Sequence, residues 1–363
     1  MAPDINKEFP LLSQYTYANI AASGLMYERL MDWRQEHDLD FLIKGSIFRE
    51  KHHVFIEEIR ATVGQFFGCR TENVSLIPNF SFGFNTFLEG IDKGKKVLLL
   101  QNDYPSVNEA VENRGFKTCY AVIDENLESN IKEAIRNEKP DILALSLVQY
   151  INGIKVDLDF LKNLKSEYPE LIIVADGTQF CGIEAFDFET SGIDILGASA
   201  YKWLLAGYGC GFMMFKEDCI RHIYPNTFEN LEPVTFSKTQ EHLMRYFEPG
   251  HQDTLNYGSL KFSLDFLREI GVDKIQEQLE ILSSRAKEEL TQLNALEDAV
   301  VKRTNHSTIF NIKGDDALFK KLTSNGIICS QRGSGIRLSF HFFNTEKDIN
   351  RIVQLLRKEL KET

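Results

Sequence analysis

Lys202 and Asp176 are the two residues whose type and setting most clearly suggest chemistry. Lys202 follows an apolar run, Ile193 to Leu196, through Gly-Ala-Ser-Ala-Tyr, and it precedes alternating glycines at Gly207, Gly209 and Gly211. A lysine amine can form an imine with an aldehyde and, once displaced, can take a proton from the neighbouring carbon. Asp176 ends the run Leu-Ile-Ile-Val-Ala, 26 residues before Lys202. A carboxylate held there would favour the charged form of a cationic group placed against it. A third feature is Asn79-Phe-Ser-Phe-Gly-Phe-Asn, just ahead of a helix-like run. The start of a helix, with its outward N–H groups, suits an oxyanion, and Ser81, the Phe80 amide and the Ser199 hydroxyl are the candidate donors. The bland alternatives are a solvated lysine, an aspartate capping a helix and an ordinary N-capped helix.

Such residues need elements to aim them. Short apolar runs recur at Val97 to Leu100, Ile142 to Val148, Leu171 to Ala175 and Ile193 to Leu196, each ending in polar or small residues. They read as buried parallel strands. Helix-like stretches lie between them, including Ser106 to Arg114 and Leu127 to Asn137, so the order implies an α/β layered domain. In an open sheet of this kind ligands bind beyond the carboxyl ends of the strands, where the polar residues would converge. Ahead of them, Ile47 to Phe67 has helical spacing ended by Gly68. After Phe247-Glu-Pro-Gly a helical pattern runs from about Tyr257 to Leu296. Strands (Ser307 to Ile312, Ile336 to Phe340) and helices (Asp315 to Ser324, Thr345 to Leu360) then alternate as a separate α+β unit.

Composition narrows the classes. The chain has 363 residues, 43% hydrophobic and 26% charged, enough for a large core and a second domain. Its net charge of -12, with no basic block interleaved with aromatics, argues against nucleic acid and anionic membranes as partners. No apolar run approaches the roughly 20 residues of a membrane span, and the N-terminus lacks a leader pattern. A cytoplasmic protein is expected. The six cysteines show no ligand spacing, so neither a metal site nor a disulfide framework is expected.

Val174-Ala-Asp-Gly-Thr-Gln-Phe followed by Gly197-Ala-Ser-Ala-Tyr-Lys-Trp-Leu-Leu-Ala-Gly-Tyr-Gly-Cys-Gly-Phe resembles the class V aminotransferases. These are pyridoxal 5′-phosphate (PLP) enzymes of fold type I, related to cysteine desulfurases, kynureninases and isopenicillin-N epimerase-like proteins. The resemblance runs from Tyr17-Ala-Asn-Ile-Ala-Ala-Ser-Gly to the tail beginning at Arg337. It implies a large domain, 19–250, with a mainly parallel sheet between helices, and a smaller α+β domain, 251–363. The N-terminal segment 1–18 would pack on the small domain.

The same resemblance implies roles. Lys202 would carry the cofactor as a Schiff base and move the α-proton, and Asp176 would hold the pyridine nitrogen. Gln179 would reach the phenolic oxygen, with Tyr150 approaching the same side, and Tyr104 would stack on the ring where relatives carry a histidine. Tyr201, beside the lysine, could donate a hydrogen bond. Arg337 would bind the substrate α-carboxylate, with Asn19 near the substrate. Arg332 could select a second acidic group or merely close a loop. In dimers of this family a Gly-Thr segment of the other chain completes the phosphate site. The matching stretch here is Glu248-Pro-Gly-His-Gln-Asp-Thr, so His251 or Thr254 could serve, and a homodimer is expected.

Removal of the α-proton gives a quinonoid intermediate whose fate these motifs leave open. Transamination of a small amino acid is the expected reaction. A desulfurase-like or epimerase-like lyase or isomerase is the alternative, and a PLP-fold protein that binds without turnover is the alternative of another class. A desulfurase needs a mobile cysteine before the carboxylate arginine, whereas Cys329 directly follows Gly326-Ile-Ile as a strand residue would. A dinucleotide loop at Gly207-x-Gly-x-Gly is disfavoured, because the run lacks the last spaced glycine and leads into a strand.

Overall fold

The protein is described by a computed structural model covering residues 5–362. Twelve strands occur among these residues. The short β1 (Thr16–Tyr17) comes first. It is followed by β2 (Val74–Ile77), β3 (Lys96–Leu100), β4 (Lys117–Ala121), β5 (Ile142–Ser146), β6 (Ile172–Asp176), β7 (Ile195–Ser199) and β8 (Gly211–Phe215). The C-terminal third adds β9 (Ile309–Lys313), β10 (Ile327–Ile328), β11 (Ser330–Arg332) and β12 (Gly335–Ser339).

Strands β2 to β8 form one seven-stranded sheet in the order β2-β8-β7-β6-β5-β3-β4. Neighbours from β7 through β4 pair in parallel, and only β8 runs against the rest. The expected mainly parallel sheet is therefore present. Alternation along the strands sends side chains to two cores. Leu98, Leu100, Leu143 and Leu145 join one, while Val97, Leu99, Ile142 and Ala144 join the other. Helices Phe80–Gly90 and Pro105–Glu112 cover the second face; helices His52–Phe67, Leu127–Glu138 and Leu158–Glu167 supply the first. Full burial of each large apolar side chain stabilises by roughly 1.5–3 kcal/mol, which is why both faces must be covered.

The smaller sheet has the order β11-β12-β9, antiparallel throughout. The N-terminal segment reaches over to this part of the chain. β1 pairs in parallel with β10, and Asn19 bridges to Ser339. Gly24 then lies flat on the backbone around Lys202, its N–H donating to the Tyr201 carbonyl at 2.8 Å. A Cβ at Gly24 would sit 2.3 Å from the Lys202 carbonyl oxygen, so only glycine allows this approach.

Two readings from the sequence need adjustment. The helical pattern from Tyr257 to Leu296 is two helices, Thr254–Ile270 and Val272–Gln292, broken at Gly271, whose φ of 99° a helix interior does not accept. Helix Glu28–Lys44 was not anticipated. Its Phe41, Leu42 and Ile43 form a consecutive apolar run that stays exposed, so the spacing carries little helical signature. Helix Thr254–Ile270 packs on this helix and on His52–Phe67.

Candidate active site

The carboxyl ends of β2, β3, β5, β6 and β7 open onto one cavity of about 440 Å³. Asp176 is the last residue of β6, and Lys202 follows β7 by a tight turn. In that turn the Leu205 amide donates to the Lys202 carbonyl, and Leu205 itself is left-handed at φ 59°. A branched side chain in this conformation costs about 1–2 kcal/mol, which the surrounding packing must supply. Lys202 is only 5% exposed, and its Nζ stands 5.6 Å from the centre of the Tyr104 ring and 5.4 Å from that of Tyr201.

Burial shifts both key groups. It lowers the Lys202 pKa, against the pull of Asp176 and with the help of the Arg337 and Arg332 charges. The amine is therefore more readily neutral, and so nucleophilic, than a surface lysine. Burial raises the Asp176 pKa, opposed by hydrogen bonds from Thr178 and by the charge on Lys202. The Thr178 amide donates to Asp176 Oδ1 at 2.8 Å. Asp103, also buried, ties the loops after β3 and β5 together by accepting from the Tyr104 and Ser146 amides and from Gln149 Nε2.

Of the residues singled out from sequence, Tyr104, Tyr150, Gln179, Tyr201, Phe80, Ser81 and Ser199 line the cavity with Asp176 and Lys202. Tyr104 and Tyr150 meet edge to face at 5.0 Å between ring centres, while Tyr201 stacks on Tyr208 at 4.7 Å. Burial pushes the Tyr201 phenol up to about 12, so it remains a donor. The Gln179 amide already has partners. Its Nε2 donates to the Ala21 carbonyl and its Oε1 accepts from Trp203 Nε1 at 2.7 Å, leaving one N–H and one lone pair. At the start of helix Phe80–Gly90 the Asn79 side chain caps the Phe82 amide, the Phe80 amide donates to Ser199 Oγ, and Ser81 Oγ donates to Ser106 Oγ at 2.7 Å.

Arg337 lies just outside the cavity lining. It is 2% exposed, and its Nη1 donates to the Tyr150 carbonyl at 2.6 Å. Its Nε is buried with no partner. Burial and the neighbouring Arg332 pull its pKa down to about 10. Asn19 accepts from Ser330 Oγ, and Arg332 is exposed beside the same hairpin. His251 and Thr254 are elsewhere in this chain: Arg49 Nη2 lies 2.7 Å from His251 Nε2, and Thr254 Oγ1 is 3.0 Å from His37 Nε2 in a separate groove.

Sequence reasoning missed Thr178, Ser146, Ser106, Tyr208 and Gly209, all in the lining. Thr178 and Ser146 sit at strand ends already recognised, so their positions were a usable signal. Tyr208 and Ser106 join the site only through the way loops fold over it.

The family described as Aminotransferase class-V matches residues 44–352. The chain belongs to the class V aminotransferases. An uncharacterized aminotransferase of Schizosaccharomyces pombe is 24% identical over 83% of this chain and 81% of its own. A probable cysteine desulfurase of Ureaplasma parvum is 22% identical over 94% and 93%. Among solved structures, an apo cysteine desulfurase from Thermococcus onnurineus superposes with a TM-score of 0.85 at 18% identity, covering both chains fully. Class V aminotransferases depend on PLP. The donor set here fits that cofactor: an amine for its aldehyde, a carboxylate for its ring nitrogen, aromatic faces, and hydroxyl and amide donors for its phosphate.

Proposed function

We propose that this class V enzyme transfers the amino group of a small amino acid, with Lys202 as the residue that bonds the cofactor. The observation that carries the reading is the pair of buried, oppositely acting groups, Lys202 and Asp176, at adjacent strand ends with a buried arginine nearby. When bound, PLP supplies the electron sink that lets the α-carbon give up a proton. Lys202 would hold the cofactor's aldehyde carbon and, as a free amine, would take and return that proton. Asp176 keeps the pyridine nitrogen protonated. Tyr104 would offer its aromatic face to the cofactor ring, Gln179 and Tyr150 would serve its phenolic oxygen, and Ser81, Ser199, Tyr201 and the amide of Phe80 would serve its phosphate. Arg337 receives the α-carboxylate through its free Nε, with Asn19 beside it.

Desulfuration is the second reading, since some relatives carry that name. Cys329 speaks against it. It is 7% exposed, follows β10 directly, and burial pushes its thiol up to about 11, away from the thiolate that sulfur transfer needs. A second copy of the chain would cover Leu39, Phe41, Leu42, Ile43 and Ile47, which are exposed together near His251 and Thr254, making either residue available to the other subunit's site. Six free, buried cysteines support a reducing compartment such as the cytoplasm.

Borohydride reduction of the purified yellow protein, followed by peptide mapping, should locate the pyridoxyl group on Lys202. A separate, unreduced sample incubated with an amino-acid panel should yield a keto acid and no sulfide. Label on another lysine, or none on Lys202→Ala and wild type alike, would end this reading.

A further inference from the structure

Two arginines outside the cavity lining, Arg332 and Arg337, put their charges on Lys202, and the roles above use only Arg337. Strands β11 and β12 pair Ser330 with Arg337 and Arg332 with Gly335, so Arg332 and Arg337 occupy the same face of the hairpin. Arg337 is buried and carries an unpartnered Nε. Arg332 is exposed, and its Nη1 donates only to the carbonyl of its neighbour Gln331. Among the described residues neither guanidinium has an acidic side chain within ion-pair distance.

The hairpin is anchored, so this arrangement is not a loose tip. Asn311 Nδ2 donates to the Arg332 carbonyl at 2.9 Å, and a Cβ on Gly333 would touch Ile151 Cγ2 at 3.4 Å, in the loop that also presents Tyr150. The Arg332 charge is felt at Arg337, at Lys202 and at Tyr150. Among the described residues Asp176 is the single acidic one in the cavity lining, and its charge acts on Lys202. Two unpaired cations on one face repel each other, and a chain of net charge -12 has acidic residues in plenty that could have paired with them. An occupant with two anionic groups removes that repulsion.

We infer that the amino-acid substrate carries a second acidic group on its side chain, held by Arg332 while Arg337 holds the α-carboxylate. This rests on the reading of Lys202 as the cofactor-bearing residue. The substrate class is then an acidic amino acid of the aspartate, glutamate or sulfinate type. Arg332 acts as a specificity residue and leaves the proton transfer to Lys202.

The test uses the holoenzyme. Calorimetric titration with maleate and with propionate reads the second acidic group without turnover, and the rate of cofactor absorbance change with aspartate, glutamate and alanine reads it with turnover. Wild type should prefer the acidic member of each comparison by about tenfold or more, the effect of one charge-assisted contact. Arg332→Gln should abolish that preference, and Arg332→Lys should restore part of it. Equal preference in wild type and Arg332→Gln, or no preference in wild type that still turns over alanine, overturns this inference alone. A protein that takes up no cofactor at Lys202 overturns both it and the reading on which it rests.

Discussion

Arg60 and Arg337 are both almost wholly shielded from solvent, at 0% and 2% exposure, yet they sit in opposite electrostatic situations. Arg60, on helix His52–Phe67, is held in a two-pronged pair by Glu248 at 2.5 and 2.9 Å and donates also to the Val74 carbonyl. Glu248 in turn accepts from the Leu76 amide, so the pair locks a helix to β2. Burial alone would lower the Arg60 pKa, but Glu248, with a smaller part from Glu57, outweighs it and the net shift is upward. Arg337 has no such carboxylate, and its pKa falls. Desolvating a charge is expensive unless a partner restores what water gave. The first arginine therefore belongs to the scaffold, and the second keeps an unmet demand for an anion.

Removing the partner from Arg60 should produce the largest change. Glu248→Gln leaves the buried cation with only the longer Glu57 contact at 3.3 Å and is expected to destabilise by about 3 kcal/mol, seen as a lowered denaturation midpoint, with activity per folded molecule retained. Arg337→Gln should do the reverse. It is expected to lower kcat/KM about a hundredfold, or about 2.7 kcal/mol, while the melting temperature holds or rises, because a desolvated charge has gone. If instead Arg337→Gln melts early, Arg337 belongs with Arg60 and the contrast fails.

A smaller effect comes from His341, buried but neutral. Its Nε2 lies 3.0 Å from the Trp203 carbonyl, one residue past Lys202, and burial drives its pKa from 6.5 to about 3. The unfolded chain binds a proton here below pH 6.5 and the folded chain does not. The stabilisation is complete above 6.5 and drains as pH falls toward 3, by up to about 1.4 kcal/mol per pH unit. Denaturant titrations between pH 7 and 5 should show this slope added to that of His306, which burial lowers to about 4, and His341→Gln should make the slope shallower without removing it; an unchanged slope would mean that other groups set the acid limit. Smallest of all is Lys132→Ala. The pair it makes with Glu167 is about half exposed on both sides, and its loss should leave the melting temperature unchanged within error.

The order of apolar runs and their polar ends was enough to place Asp176 and the loop leading to Lys202 at strand ends, because strand burial writes continuous apolar runs into the chain, whereas β2, which brings the helix after Asn79 to the same edge, was not read as a strand. Distribution of those strands around a single reversed β8 was not legible, since pairing partners far apart in sequence leave no local trace. The break at Gly271 was readable in principle as a glycine within a helical pattern, but its φ depends on how the two helices dock.

Residue type and spacing by themselves determined the layered α/β class and pointed to Lys202 and Asp176 as the candidate amine and carboxylate, for these follow from local pattern and from what each group can do chemically, whereas Arg337 was singled out only by the resemblance to the family. Tertiary structure alone decided that Gln179 spends part of its amide on Ala21 and Trp203, that Arg337 is left without an acid while Arg60 has one, and that Arg332 shares its face. Burial and pairing are properties of the space around a side chain. That space is built from segments hundreds of residues apart, and no local stretch of sequence contains it.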